Sequence, residues 1–163
     1  MRLDLKSLAP NGMAVFMAVI FLDSLRYKFT NAPETVVIFG KLDGWAGTIG
    51  APGLFLQTGL FSQYVIGSIE LLASSLLLLG IMPRFRHLQA GGALAGLLVM
   101  SGAVNFHLFT PLGIDPNNDG GGLFVAACIV WLSALLLITV FRRKEFLLLV
   151  NRVRAIFAPL PGV

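Results

Sequence analysis

The residue that most constrains the chemistry of this chain is Glu70, near the middle of an apolar run from Leu60 to Met82. A carboxylate at the centre of a membrane-length segment costs about 2.5 kcal/mol or more. Glu70 is therefore expected to face protein or a polar cavity. It is either a proton-handling or ligand-binding carboxylate, or a neutralised residue that holds helices together. Gln63, Gly67 and Ser74 recur with Glu70 at intervals of three and four, which predicts one helical face.

Further ionisable residues lie in the C-terminal half of the first apolar segment, which is the half predicted to lie toward the outside of the membrane. Asp23 and Arg26 are three residues apart and can pair on one helix face. At about 1.5 Å of rise per residue, Asp23 and Glu70 both lie roughly 10–15 Å below the outer ends of their segments. Arg26 is therefore expected to extend inward to either acid, with Lys28 at the outer edge. The predicted Asp23–Arg26–Glu70 cluster is either a ligand site or a structural network.

The third apolar segment adds Asn105 and His107, also in its outer half. Residues two apart on a helix are about 200° apart, so these two side chains cannot share a face. His107 follows the small residues Gly92 and Gly96 and is expected to face the bundle, whereas Asn105 is expected to face a second helix. A lone histidine there is more often a hydrogen-bonded structural residue than a metal ligand. His87 lies at the opposite surface, which excludes paired haem ligation by the two histidines.

One turn resembles half of a calcium loop. Asp115, Asn117 and Asp119 have the spacing Asp-x-Asn-x-Asp-Gly, but Ala126 occupies the position of the closing acidic ligand. An outer turn rich in Asn, Asp and Gly is the alternative. These three residues are therefore weak calcium candidates, and no metal is expected. Cys128 is the only cysteine, which excludes intramolecular disulfide chemistry.

Composition and apolar periodicity indicate an all-α, polytopic membrane protein. Hydrophobic residues make up 56% of the chain and charged residues 12%, about half the charge of a soluble domain. Four spans are predicted within a single domain, 1–163, as a four-transmembrane-helix bundle: 13–29, 60–82, 88–109 and 123–141. No small-x-small cleavage site follows the first span, so it is interpreted as an uncleaved anchor.

The basic residues predict the orientation. Nine of the 12 Lys and Arg lie before span one, between spans two and three, or after span four: Arg2, Lys6, Arg84, Arg86, Arg142, Arg143, Lys144, Arg152 and Arg154. The positive-inside rule then places both termini in the cytoplasm. The same sidedness explains the net charge of +4, so nucleic-acid binding is not expected.

Two segments outside the spans are predicted to be helices at the membrane surface. The stretch from Asn31 to Pro52 is half apolar, and Pro33 and Glu34 are typical of a first helical turn. The tail from Glu145 to Phe157 alternates apolar residues with arginines. It is predicted to be a basic interfacial helix on the inner leaflet, held by anionic headgroups.

The arrangement resembles the DoxX family of small bacterial four-helix membrane proteins. The resemblance covers about Phe16 to Phe141 and is carried by these pieces: Phe21 to Ser24, Lys28-Phe29, Glu70-Leu71, Leu79-Gly80, a span ending in His107, and the glycine-rich turn Asn118 to Leu123. The Asp23–Arg26 pair and the longer turn at Asp115 depart from the usual pattern. The resemblance implies a bacterial inner-membrane location.

The resemblance also implies what the site does. Some members of the family look like membrane subunits of a thiosulfate:quinone oxidoreductase. In this chain Glu70, Arg26, Lys28 and His107 would then line an outer-leaflet site for a quinone headgroup or small anion, with protons passing through Glu70. Asp23 and Asn105 complete the candidate ligand-binding residues.

Two functions remain open from the sequence. In the first, the protein is an accessory or membrane-anchoring subunit of a redox complex, and its partners are the lipid bilayer and other membrane subunits. Trp45 and Trp131 would then be exposed contacts. In the second, it is a quinone-reducing subunit. No intrinsic cofactor is expected, because the residues supply no redox centre of their own.

Overall fold

The computed structural model describes residues 5–157, with side chains from residue 8 onward. The regular secondary structure of these residues is helical throughout, with no strand among them. Arg2 lies outside the described residues, and only the backbone of Lys6 is described, so two of the basic residues used for the orientation have no structural account. The helices are α1 (Leu5–Phe29), α2 (Pro33–Thr48), α3 (Gln63–Leu79), α4 (Arg86–Phe109), α5 (Gly122–Leu136) and α6 (Arg143–Phe157).

Three helical segments are long and apolar enough to cross a membrane: 8–29, 83–109 and 122–141. These correspond to three of the four predicted spans, which supports a membrane protein. The first helix begins at Leu5 rather than at the predicted Met13. The prediction started late because it followed the apolar run, whereas helical hydrogen bonds also form through the polar residues that precede it.

The second predicted span, 60–82, is longer than the helix that forms there. α3 has 17 residues, from Gln63 to Leu79, and is shorter than the three candidate spans. The Ser62 hydroxyl accepts a hydrogen bond from the Val65 amide at 3.3 Å and so caps the first turn. At the other end Gly80 follows the last helical residue, and Pro83 begins a short 3₁₀ turn to α4. Local capping therefore determines both ends of α3, and the apolar content of the sequence does not predict it.

Helices α1, α3, α4 and α5 share one core. α3 packs against α1 and α4, and α5 packs against α4 and α1. Small residues let the helices approach: a Cβ added to Gly92 would lie 2.8 Å from the Ala73 carbonyl oxygen on α3. The largest buried core side chains are Met17, Phe21, Leu77, Val130 and Leu137.

Helix α2 belongs to a second, smaller apolar cluster. The predicted start at Pro33 and Glu34 is confirmed. Its buried residues Leu42 and Ala46 pack with Phe55 and with Leu112 from the α4–α5 connection. Trp45 is partly buried and its ring lies 6.2 Å from that of Phe106, so the prediction that it is an exposed contact residue is wrong.

The end of α5 is not a regular α-helix. Residues Leu137–Phe141 form a π-turn, in which the Arg142 amide donates to the Leu137 carbonyl at 2.7 Å. A π-turn contains one residue more than the α-helical turn it replaces. Helix α6 begins directly afterwards at Arg143 and has no fully buried residue, and it contacts α4 and the π-turn. The predicted tail helix is therefore confirmed as a helix.

Candidate functional site

The polar residues of α1 and α3 meet in a compact group formed by Ser24, Lys28 and Glu70, here called the Lys28 cluster. Glu70 is only 2% exposed. Lys28 Nζ lies 2.9 Å from Glu70 Oε2 and 3.1 Å from Oε1, which makes a bidentate ion pair. The Ser24 hydroxyl lies 2.6 Å from Glu70 Oε2 and 2.8 Å from the Phe21 carbonyl oxygen.

The cluster follows from the spacing of residues on the two helices. Ser24 and Lys28 are four apart and therefore lie one above the other on α1. On α3, Gly67 lies nearly one turn before Glu70 and faces α1. A Cβ added to Gly67 would lie 3.3 Å from the Phe29 ring. This close approach brings the Glu70 carboxylate to the lysine. The predicted face of Gln63, Gly67, Glu70 and Ser74 is confirmed, because all four residues are buried.

The hydrogen bonding of the cluster is complete. A lysine ammonium has three N–H donors, and Lys28 Nζ has three acceptor atoms within reach: both Glu70 oxygens and, at 3.0 Å, the Ser24 hydroxyl. The Lys28 side chain is 16% exposed and that of Glu70 is 3% exposed. The cluster is a nearly buried ion pair in which the lysine is the more exposed partner.

Arg26 does not join this cluster, so the predicted Asp23–Arg26–Glu70 arrangement is wrong. Arg26 Nε lies 3.0 Å from Asp23 Oδ1, on a face where the two side chains are 65% and 57% exposed. The Arg26 guanidinium also lies over the Tyr27 ring, 4.7 Å from its centre. The physical reason is angular: residue 26 is about 200° from residue 24 on a helix, so it points away from α3.

An amide network closes the end of α1 next to the Lys28 cluster. Gln63 Nε2 donates to the Lys28 carbonyl oxygen and to Asn31 Oδ1, both at 2.9 Å. Asn31 has a φ of 56°, a left-handed conformation in which it ends the helix, and its side chain also accepts a hydrogen bond from Gln57. The structural roles of Ser24 and Asn31 were not predicted from the sequence. The i, i+4 spacing of Ser24 and Lys28 indicates that the two side chains can meet. No local pattern indicates that Asn31 accepts hydrogen bonds from Gln57 and Gln63.

His107 faces the protein as predicted and is 5% exposed, but its partners are not those of the Lys28 cluster. Nδ1 lies 2.6 Å from the Gly113 carbonyl oxygen and donates to it, and the imidazole lies 5.5 Å from the Phe124 ring. Gly113 has a φ of 71°, which suits glycine. His107 therefore fixes the connection between α4 and α5.

Asn105 lies on an exposed face of α4, so the prediction that it faces a second helix is wrong. Its amide donates to the Ser101 carbonyl of its own helix at 2.7 Å. The Ser101 hydroxyl instead accepts a hydrogen bond from Trp131 Nε1 at 2.9 Å. Trp131 is thus partly buried between α4 and α5, and the prediction of an exposed contact is wrong for it too.

In the acidic turn before α5, the carboxylates accept hydrogen bonds from backbone amides. Asp115 Oδ1 accepts from the Asp119 amide at 2.7 Å. Asp119 accepts from the amides of Gly121 and Leu123 at 3.0 and 2.8 Å, which caps α5. The hydrogen bond from the Leu123 amide is the main cause that holds the pKa of Asp119 below its ordinary value. Within residues 5–157 no group of three or more His, Cys, Asp or Glu side chains could hold a metal ion. The weak calcium hypothesis for Asp115, Asn117 and Asp119 stays a prediction.

A second buried polar group lies at the opposite end of the helices and is here called the Arg142 cluster: Asn11, Gln89 and Arg142. Gln89 is fully buried and Arg142 is 7% exposed. Arg142 Nε donates to Gln89 Oε1 at 2.6 Å, and Gln89 Nε2 donates to Asn11 Oδ1 at 3.3 Å. Burial of the guanidinium is the main cause that lowers the pKa of Arg142, and the charge of Glu145 opposes it. From the sequence, Arg142 was predicted only to lie on the cytoplasmic side, and its buried hydrogen bonds were not predicted.

Comparison of the chain with family models, with curated proteins and with solved structures finds no match. The geometry of the two polar clusters therefore carries the functional argument.

Proposed function

We propose that this chain is a four-helix integral protein of the bacterial inner membrane that acts as an accessory or membrane-anchoring subunit rather than as a catalyst. In this proposal α1, α3, α4 and α5 cross the bilayer and both termini lie in the cytoplasm. The single observation that carries the non-catalytic role is the closed Lys28 cluster, in which each N–H of the lysine has an acceptor.

The membrane role of α3 is supported by its position and its charge. Its 17 residues span about 25 Å, the short end of the range for a membrane helix. It packs between α1 and α4, two helices that are long enough to cross on their own. Its one carboxylate is neutralised by Lys28, which removes the main cost of placing α3 in lipid.

The accessory role is supported by how the remaining polar groups are used. His107 donates to the Gly113 carbonyl, and Asp119 accepts from backbone amides at the start of α5. Asp23 and Arg26 pair with each other on an exposed face. His107 and Asp119 thus stabilise a connection and a helix end, whereas the Asp23–Arg26 pair stays within one helix. The redox nature of the partner complex rests on the resemblance to the DoxX family.

A quinone-reducing subunit is the second candidate, and the partial exposure of the Lys28 side chain favours it. At this more exposed partner of the ion pair, a quinone carbonyl or a small anion would compete with Glu70 and Ser24 for the ammonium protons. Protons released or taken up there would pass through Glu70. Electrons would come from a partner subunit or from a diffusible donor.

A paired substitution separates the two candidates. Lys28→Met combined with Glu70→Leu removes both charges and keeps similar apolar volume, a change that often leaves stability unaltered or higher. The tagged protein is solubilised in a mild detergent and analysed on native gels, and quinone reduction with thiosulfate is measured in the same fractions.

Comigration of both the wild type and the double variant with a larger membrane complex is the result expected for an accessory subunit. Asp23→Asn, which changes an exposed charge on the same helix, is the matched control. Thiosulfate-dependent quinone reduction that the wild type shows and the double variant lacks would contradict the non-catalytic proposal and favour the second candidate.

A further inference from the structure

Helix α6 carries an apolar stripe that continues beyond the helices it packs on. Phe146, Leu149 and Val150, in its first half, are partly buried, and Phe146 packs on the main core. Ile156 and Phe157, in its last two turns, continue the same face at helical spacing and are 76% and 81% exposed. No described residue covers this second half of the stripe.

The charged residues of α6 are mostly basic. Arg143, Lys144, Arg152 and Arg154 lie outside the stripe, together with the exposed Leu147 and Leu148, and Glu145 is the only acidic residue of α6. A helix that combines an apolar face with several cationic residues is the pattern that lies in the interface of an anionic leaflet. The stripe would enter the boundary of the acyl chains while the arginines meet the headgroups.

Arg142, directly before this helix, is a buried cation with neutral partners only. Its Nε donates to Gln89, and Nη1 lies 3.4 Å from the Phe141 carbonyl oxygen. Among the described residues no carboxylate lies within 4.0 Å of it, because the two ion pairs there are Asp23–Arg26 and Lys28–Glu70. Its second terminal nitrogen, Nη2, has no acceptor among the described residues. A guanidinium held in this way presents a fork that matches two oxygens of a phosphate.

We propose that Arg142 and α6 form a binding surface for an anionic phospholipid, whose phosphate is held by Arg142 while the apolar stripe of α6 enters the leaflet. The proposal rests on the membrane topology proposed above. The occupant is a lipid rather than free phosphate, because the apolar stripe of α6 begins at Phe146, about one helical turn after Arg142. Both parts of a lipid, its phosphate and its acyl chains, would therefore have a partner. A zwitterionic lipid would leave the cationic side without net counter-charge.

The test uses the full-length protein in a mild detergent, titrated with phosphatidylglycerol and observed by native mass spectrometry. Phosphatidylcholine and inorganic phosphate are the comparison probes. The wild type is expected to bind phosphatidylglycerol in preference to both. Arg142→Gln and the pair Arg152→Gln/Arg154→Gln are expected to weaken that binding about fivefold for each removed charge, the effect typical of a basic residue at an anionic surface.

The matched control is Lys41→Gln, which removes the same charge at the other end of the molecule and is expected to leave the lipid preference unchanged. Arg142→Gln also removes a buried hydrogen bond to Gln89, so the exposed Arg152/Arg154 pair provides a variant that does not depend on folding at that cluster. Ile156→Gln is expected to weaken the binding of phosphatidylglycerol by shortening the apolar stripe.

Equal binding of the two lipids, or unchanged binding by the arginine variants, would overturn the lipid proposal. Full competition by inorganic phosphate would assign the site to a free anion and overturn it too. Extraction of membranes with alkaline carbonate separates this outcome from a failure of the topology. A protein that resists extraction but shows no lipid preference contradicts the lipid site alone, whereas a protein that is extracted contradicts both proposals.

Discussion

Lys28 and Arg26 carry the same charge two residues apart, yet only Lys28 neutralises Glu70. The difference is the side of the helix on which each lies, because the lysine shares the face of Ser24 and the arginine does not. An ion pair that is nearly buried depends on both partners, since either one left alone is an uncompensated charge. The exposed Asp23–Arg26 pair is screened by solvent and contributes little.

The first prediction follows from this contrast. Glu70→Leu is expected to lower the free energy of unfolding by about 3–5 kcal/mol, because it leaves a buried ammonium without its carboxylate. The double variant Lys28→Met/Glu70→Leu is expected to recover to within about 1 kcal/mol of the wild type. Asp23→Asn, the exposed control, is expected to cost about 0.5 kcal/mol or less. Thermal unfolding in detergent measures all three, and a double variant as unstable as Glu70→Leu would disprove the pairing.

The cap formed by Asp119 gives the second prediction. Asp119→Ala is expected to cost about 1 kcal/mol, the usual loss for a helix cap, and Asp119→Asn is expected to cost less because it keeps an acceptor. The folded pKa of Asp119 lies below its ordinary value of 3.8. The contribution of the carboxylate is therefore fully present above the unfolded pKa and is lost as pH falls through the folded pKa.

This second prediction is tested by measuring the midpoint temperature of thermal unfolding of the wild type and of Asp119→Asn as a function of pH. The difference between the two is expected to shrink as pH falls below about 4. A difference that grows at low pH would contradict the assigned direction.

At the scale of helices, close packing depends on individual glycines of α4. A Cβ added to Gly92 would lie 2.8 Å from the Ala73 carbonyl oxygen and 2.9 Å from the Leu77 amide nitrogen. A Cβ added to the neighbouring Gly91 would have only a side-chain methyl of Leu76 at 3.9 Å. Backbone atoms cannot rotate aside as a methyl group can, so the two glycines should respond differently.

The third prediction uses this pair. Gly92→Ala is expected to destabilise the protein by about 1–3 kcal/mol, because α3 and α4 must separate to admit the methyl group. Gly91→Ala is the matched control and is expected to be neutral or to stabilise by about 0.5–1 kcal/mol, since alanine favours the helix. Thermal unfolding of the two variants decides the question. Equal effects would show that α3 and α4 do not approach at Gly92.

The sequence predicted the helices well where apolar length decides them. The segments 88–109 and 123–141 correspond closely to observed helices, and α2 begins where Pro33 and Glu34 indicated. The ends of α3 were predicted wrongly because capping by Ser62 and the turn at Gly80, rather than apolar content, determine them. Helical periodicity placed Glu70 correctly on a buried face, because the face on which a residue lies depends only on its spacing within its own helix.

Partners across helices were predicted less well. Depth along the membrane normal could not distinguish Arg26 from Lys28, since both lie near the same end of α1. The contact of Gln89 with Arg142 joins residues 53 positions apart and follows from the packing of α5 on α4. No local pattern around Gln89 or Arg142 predicts how the two helices pack. His107 was placed on the correct face, but its partner Gly113 depends on the path of the following loop.

At the scale of the molecule, the described residues form a buried polar cluster near each end of the helices, and the two clusters differ in charge. The Lys28 cluster is internally neutral, whereas the Arg142 cluster keeps a positive charge with neutral partners. The surplus of basic residues lies at the same end as Arg142, with Arg84, Arg86 and α6. That distribution is the one the positive-inside rule assigns to the cytoplasmic side.

The fourth prediction tests this orientation. Reporter fusions placed after Phe141 and within the turn from Asp115 to Gly122 are expected to report opposite sides of the membrane, with the first in the cytoplasm. A fusion within Gly80 to Pro83 is expected to agree with the fusion after Phe141, because α4 and α5 together cross twice. Opposite results at those two positions would remove one crossing and with it the proposed topology.

The π-turn at Leu137–Phe141 affects how relatives of this chain should be recognised. The π-turn fits its additional residue into one turn, so the residues after it keep nearly the same orientation around the axis as in an α-helix that is one residue shorter. A related chain without that residue would align with this one only through a single-residue gap near the end of α5. Its arginine after that turn would still point toward Gln89. An alignment that omits the gap would set that arginine against Phe141 and would miss the shared Arg142 cluster.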